Sequence, residues 1–110
     1  MQTAAQASDR IFDALADPSR RALFESLARG EAAVKDLTAR FDISQPAVSQ
    51  HLATLRRAGL VNGRREGRLV YYRVEPKGLR PLVDWLTYHR VFWTEHLDRL
   101  QALLANMGDA

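Results

Sequence analysis

Cysteine is absent from the 110 residues, which excludes a disulfide framework, a thiol redox sensor and any thiolate metal site. Long apolar runs are missing as well: no stretch approaches 18 consecutive apolar residues, so no membrane-spanning helix is expected. The opening MQTAAQASDR lacks a basic region followed by an apolar core, which argues against a secretory signal and for a cytoplasmic protein. There is no glycine-rich phosphate loop and no Ser, His and carboxylate order with a plausible pocket. Ser19 and Ser26 read as helix-surface residues, so an enzyme is not expected and no cofactor is implied.

What is present suits one small domain, since 110 residues with 46% apolar content can bury a modest core unaided. The net charge of +3 is unevenly spread. Residues 56–73 hold six arginines against Glu66 alone, a local +5, while the rest of the chain carries −2. A local basic field of this kind points to a polyanionic partner, or to a solvated charged loop.

Helical signals dominate the first half. Ile11, Phe12 and Leu15 have helical spacing; Asp17-Pro18 reads as an N-cap followed by proline at the first helical position, and Gly30 stops that second helix. A third helix is expected over 31–40, with Val34, Leu37 and Phe41 in phase. Ser44 reads as the cap of a fourth, with Pro46 in its first turn, so the cap should accept from Ala47; Ile43 and Val48 are placed for a hydrophobic staple and Gly59 ends the helix. From residue 60 the period changes to two. Val70, Tyr72 and Val74 alternate with Tyr71 and Arg73, Leu60 to Arg64 can form the antiparallel partner, and Gly67 supplies the turn. Two- and three-residue loops both fit, and either is expected to oppose arginines near the tip. Such repulsion is easier to understand if phosphate sits there.

The fourth helix carries the chemistry. In ISQPAVSQHLATLRRAGLV, residues 43–61, the inward stripe is Val48, Leu52 and Leu55, and the other face presents Gln45, Ser49, Gln50 and Arg56. Residues 44–55 contain no Lys, Arg, Asp or Glu, although a merely soluble surface usually recruits them. Short neutral hydrogen-bonding side chains can approach base edges, and glutamine can pair bidentately with adenine. Short helix, tight turn, base-reading helix and basic hairpin add up to a mainly α fold with a β-hairpin wing, a winged helix-turn-helix, and to double-stranded DNA as partner. Residues 31–58 would form the helix-turn-helix and 60–74 the wing of a single domain over 1–110. A winged-helix module that docks a protein through the same arginines is the rival from another class.

A last helix is expected from Glu75-Pro76 to about Met107, bent at Pro81, with some 27 residues or roughly 40 Å from the bend onward. Leu82, Trp85, Leu86, His89, Phe92, Trp93, His96, Leu97, Leu100, Leu103 and Leu104 form a stripe along it that one small domain cannot cover. A homodimer through this helix, 77–107, with help from residues 8–16 including Phe12, is the expected solution.

These segments closely resemble the ArsR/SmtB family of bacterial winged-helix repressors. DPSRRALFESL, ISQPAVSQHLATLRRAGLV and REGRLVYYRV occur in the family's order and spacing, and the similarity runs through WLTYHRVFWTEHLDRL to cover about residues 10–105. The resemblance implies a dimeric transcriptional repressor in which Ser44, Gln45, Ser49, Gln50 and His51 belong to the recognition helix, with Arg65, Arg68 and Tyr71 in the wing; Arg56 and Arg64 join them as basic flanks. Metal-sensing members carry a cysteine pair in the stretch that here reads AAVKDL, where Ala33 and Lys35 stand instead. A second type of site uses His and carboxylates of the last helix. His89 and His96 are seven residues apart, about 10 Å along the axis, too far for one ion within a chain, so they could meet a metal only across a dimer. Metal-independent repression is the expectation, a metal- or ligand-responsive repressor using His89 and His96 its alternative, and any small-molecule effector is unknown.

Overall fold

The computed structural model describes residues 3–108, excepting the side chains of Ala4 and of Val91, Phe92 and Trp93. The chain runs α1 (Ala4–Ala16), α2 (Pro18–Ala28), β1 (Ala32–Ala33), α3 (Val34–Phe41), α4 (Gln45–Arg57), β2 (Val61–Glu66), β3 (Leu69–Val74), a 3-10 turn over Pro76–Leu79, α5 (Arg80–Tyr88) and α6 (Arg90–Gly108). Ile11, Leu23, Leu37, Val48, Leu52, Leu55 and Leu60 are fully buried, so one cluster ties α1 to α4 and the root of the wing together. Among the described residues no helix is long and apolar enough to cross a membrane.

Capping sets the first two helices. Thr3 and Gln6 form a reciprocal capping box, so α1 starts at Ala4 rather than at residue 8. The pentapeptide DPSRR then ends one helix and begins the next. Asp17 accepts from the Arg20 amide at 3.0 Å, while Arg20 Nε donates back to the Ala14 carbonyl at 2.7 Å and Arg21 Nη1 to that of Leu15 at 2.9 Å. These guanidinium groups satisfy carbonyls that the last turn of α1 leaves without helical partners.

Three expectations are corrected. The third helix begins at Val34, because Ala32 and Ala33 form a strand against Tyr72 and Tyr71 in a sheet ordered β1-β3-β2. Both alanines are buried, and β3 offers their backbone groups partners while gaining cover for its own open edge. Next, no arginine faces another across the hairpin: Arg64 pairs with Tyr71, Arg65 with Val70 and Arg73 with Asn62. The strand extends to Glu66, leaving the two-residue loop Gly67-Arg68, in which Gly67 has φ 63° and Arg68 a negative φ, the signs of a type II′ turn.

The third correction concerns the C-terminal helix, which breaks at His89 and not at Pro81. Pro81 lies in the first turn of α5, where its missing N–H is harmless, so it helps start the helix. At His89 the backbone leaves helical values (φ −96°, ψ 12°), while Nδ1 donates to the Trp85 carbonyl at 2.9 Å and the ring stacks on that of Trp85, centroids 4.4 Å apart. The side chain thereby competes for a carbonyl of the helix. The 3-10 turn before α5 is held by a backbone contact with the end of α4. A Cβ built on Gly78 would overlap the Gly59 carbonyl group, and Gly59 has φ +81°. The Glu75 amide donates to the Leu60 carbonyl at 2.9 Å beside it.

Two outcomes follow from these contacts. Gly78→Ala should lower stability by on the order of 3 kcal/mol in denaturant unfolding, since backbone must move to admit the methyl group. Gly30→Ala, with nothing within 4 Å of its added Cβ, should be close to neutral. The Asp17 carboxyl is held below its ordinary value of 3.8, chiefly by the Arg20 amide. A depressed folded value stabilises above the unfolded value and is lost as pH falls through the folded one. The advantage of the wild type over Asp17→Asn in thermal unfolding should therefore be full near neutrality and shrink as pH drops below 3.8.

Candidate nucleic-acid interface

The α3-turn-α4 unit is set by its connection. Asp42 adopts the left-handed conformation (φ 49°), turning the chain sharply after Phe41. Ser44 caps α4 by accepting from the Ala47 amide at 3.2 Å, the donor that Pro46 leaves available. Ile43 packs against the core cluster that contains Val48.

With Val48, Leu52 and Leu55 buried, the rest of α4 is oriented. At 100° per residue, Gln45, Ser49, Gln50 and Arg56 span an arc of about 140° that begins at Gln45, beside Leu52, and runs round the exposed side of the helix. All four are exposed. Arg57, which sequence reasoning passed over, falls on the same arc one heptad beyond Gln50, and that offset was the available signal; its Nη2 donates to Thr54 Oγ1 at 3.2 Å. His51 stands apart. It is half-buried on the flank toward α2, near enough to Asp17 for its charge to help hold that carboxyl down.

The hairpin register sorts the wing residues onto two faces. Tyr72 and Val74 pack against the core, so the Arg65-Val70 pair, two steps on, continues that face beyond the body of the protein. Arg64 and Tyr71 occupy the opposite face, with the Arg64 guanidinium 4.8 Å from the Tyr71 ring centroid. Arg64 also reaches Glu31 through Nη2 at 2.5 Å and Nε at 3.3 Å, and Glu66 through Nη1 at 2.6 Å. That hydrogen bonding lowers the Glu31 carboxyl below its ordinary value and raises Arg64 above its own. Among the described residues Arg65 and Arg68 are exposed and make no ion pair.

The residues assigned to a dimer seam divide as well. Leu82 packs against the chain's own core, and Phe12 meets Trp85 edge to face at 5.2 Å, joining α1 to α5. Phe12, Leu86, Leu97 and Leu100 remain exposed. The side chains of Phe92 and Trp93 lie outside the described residues. His89 is committed to Trp85, and among the described residues no three His, Asp or Glu side chains converge as metal ligands. Ala33, where a thiolate would be needed, is buried in β1, so the residues present do not fit the cysteine-type metal centre.

Comparison with known proteins agrees with this architecture. Residues 17–63 match the family described as bacterial regulatory protein, arsR family. The chain is 43% identical over 101 residues to the HTH-type transcriptional regulator Rv2034 of Mycobacterium tuberculosis, covering 92% of each. It is 31% identical over 78 residues to the transcriptional repressor SdpR of Bacillus subtilis, covering 71% of this chain and 87% of that one. The crystal structure of an ArsR family transcriptional regulator, RHA00566, superposes with a TM-score of 0.74 at 31% identity, over 86% of this chain and 97% of its own. From its turn, helix and wing, and from identity sustained over nine-tenths of both lengths with a regulator, the chain belongs to the ArsR family of winged helix-turn-helix transcriptional regulators.

Proposed function

We propose that the protein is a homodimeric, metal-independent repressor that reads a pseudo-palindromic operator. The observation that carries this reading is the exposed, uncharged arc of Gln45, Ser49 and Gln50, set between arginines that make no ion pair among the described residues. In the complex Gln45, Ser49 and Gln50 meet base edges, and Ser44 holds the helix N-terminus that approaches the backbone. Arg56 and the wing residues Arg65 and Arg68 lie along phosphate, as does His51 at the flank, while Tyr71 supports the wing from its other face, under Arg64. Repression follows from occupancy of the operator, in keeping with the repressor that SdpR is named for.

Dimerisation is supported by α6. Its side chains from Thr94 to Met107 are all exposed, including Leu97, Leu100, Leu103, Leu104 and Met107. The radius of gyration is 17.4 Å, against about 13 Å for a compact chain of this length, because this helix extends from the body. A half-open hollow of about 510 Å³ between α1 and α5, walled by Trp85 and Tyr88, lies beside the same seam and can receive a partner's side chain. A second copy about a two-fold axis covers these surfaces in one step. To enter successive major grooves, that dimer has to hold its two copies of α4 about 34–36 Å apart, one turn of duplex.

Sedimentation at micromolar concentration should give the mass of a dimer, and a stable monomer would remove the two-fold arrangement. If the dimer neutralises about eight phosphates, log affinity should fall against log salt with a slope near −7. Gln50→Ala should narrow the gap between operator and random DNA at an almost unchanged slope. Arg68→Ala should weaken both alike and make the slope shallower by about 2, because each protomer then neutralises one phosphate fewer. Fluorescence anisotropy across a salt series reads both effects.

A further inference from the structure

Arg64 differs from the other wing arginines in that each of its three guanidinium nitrogens already donates to a carboxylate. Nε and Nη2 form a fork on Glu31, Nη1 bonds Glu66, and the face of the guanidinium lies over Tyr71. Glu31 belongs to the connection between α2 and β1, and two residues later Ala33 pairs with Tyr71. One side chain therefore joins that connection to both strands of the wing and to the residue before its turn. An exposed ion pair alone contributes little. A forked pair with a second carboxylate and an aromatic face is a network, in which the planar guanidinium fixes orientation as well as distance.

The charges around Arg64 also make it a poor phosphate ligand. Two carboxylates face one guanidinium, and Arg73, near enough to act on Glu31, only restores neutrality. A phosphate arriving at Arg64 meets no net positive charge and two carboxylates already bonded to the guanidinium. Arg65, one residue on, points to the other face of the hairpin, and Arg68 sits in the turn.

We infer that Arg64 is a positioning residue, which braces the wing against the connection between α2 and β1 and leaves phosphate contact to Arg65 and Arg68. The inference rests on the proposed binding of DNA and alters what the wing's charge is for. Rather than adding to the field that attracts DNA, Arg64 sets where Arg65 and Arg68 are held.

Glu31→Gln separates the two roles by sign. It adds positive charge, so if Arg64 were a phosphate ligand restrained by Glu31, affinity would rise and the salt slope steepen. For a brace, affinity falls about three- to tenfold despite the added charge, the range expected for removing such a network. The double variant Glu31→Gln with Arg64→Met, whose net charge equals that of the wild type, then binds no more weakly than Arg64→Met alone and keeps the wild-type slope. Amide exchange in the protein without DNA supplies a second readout, with faster exchange expected across the β1-β3 pairing in Glu31→Gln. Tighter or unchanged binding by Glu31→Gln, a shallower slope in the double variant, or unchanged exchange overturns the brace. Absence of salt-dependent binding in the wild type itself defeats the DNA-binding proposal instead, and the exchange measurement still decides the brace.

Discussion

The rotation of α4 about its own axis is the constraint on which the rest depends. Val48, Leu52 and Leu55 are each fully buried, and three anchors spread over two turns leave the helix no freedom to roll. A roll of one residue position, about 100°, would bury Gln45 and Ser49 and expose leucine. The cap at Ser44 fixes where the helix begins, and the Gly59-Gly78 contact fixes where the chain leaves it. Only with both ends held does the uncharged arc form a stable surface for a partner.

Much of this was legible in the sequence, and the reason is range. Asp17, Ser44 and Gly59 act on backbone groups within a few residues, and the stripe of α4 follows from helical period alone. What was illegible depends on residues far apart. Two alanines become a strand only because β3, some 40 residues later, offers an edge, and nothing in AAVKDL announces that. The hairpin register turns on the choice between two loops that the sequence permits equally, and that choice decided which residues face the arginines. Gly78 reads as an ordinary turn residue until Gly59 is seen against it. The break at His89 likewise required knowing that its ring folds back on Trp85.

The arginines show why composition misleads where position does not. Counted together, residues 56–73 carry +5, a single basic field. In the structure that charge is partly spent locally, since Arg64 is neutralised by Glu31 and Glu66. Outside that segment, Arg20 and Arg21 serve the carbonyls that end α1. Electrostatic attraction for a polyanion therefore rests more on Arg65 and Arg68 at the wing and Arg56 and Arg57 at the end of α4, exposed residues that make no ion pair among the described residues. The field is smaller than the count suggests and better aimed, because both sources flank the neutral arc.

The break at His89 links this surface to the proposed dimer. α6 makes its contacts within the chain chiefly through α5, so its direction is set by the few residues around the break. In a two-fold dimer joined through α6, the angle at His89 determines how far apart the two α4 helices lie, and DNA accepts only separations near a whole helical turn. A continuous helix through residues 80–108 would carry the seam along a different line and change that distance. In such a dimer the His89 side chain, bonded to the Trp85 carbonyl, tilted over the Trp85 ring and edge-on to that of Tyr88, would bear on operator spacing through geometry alone.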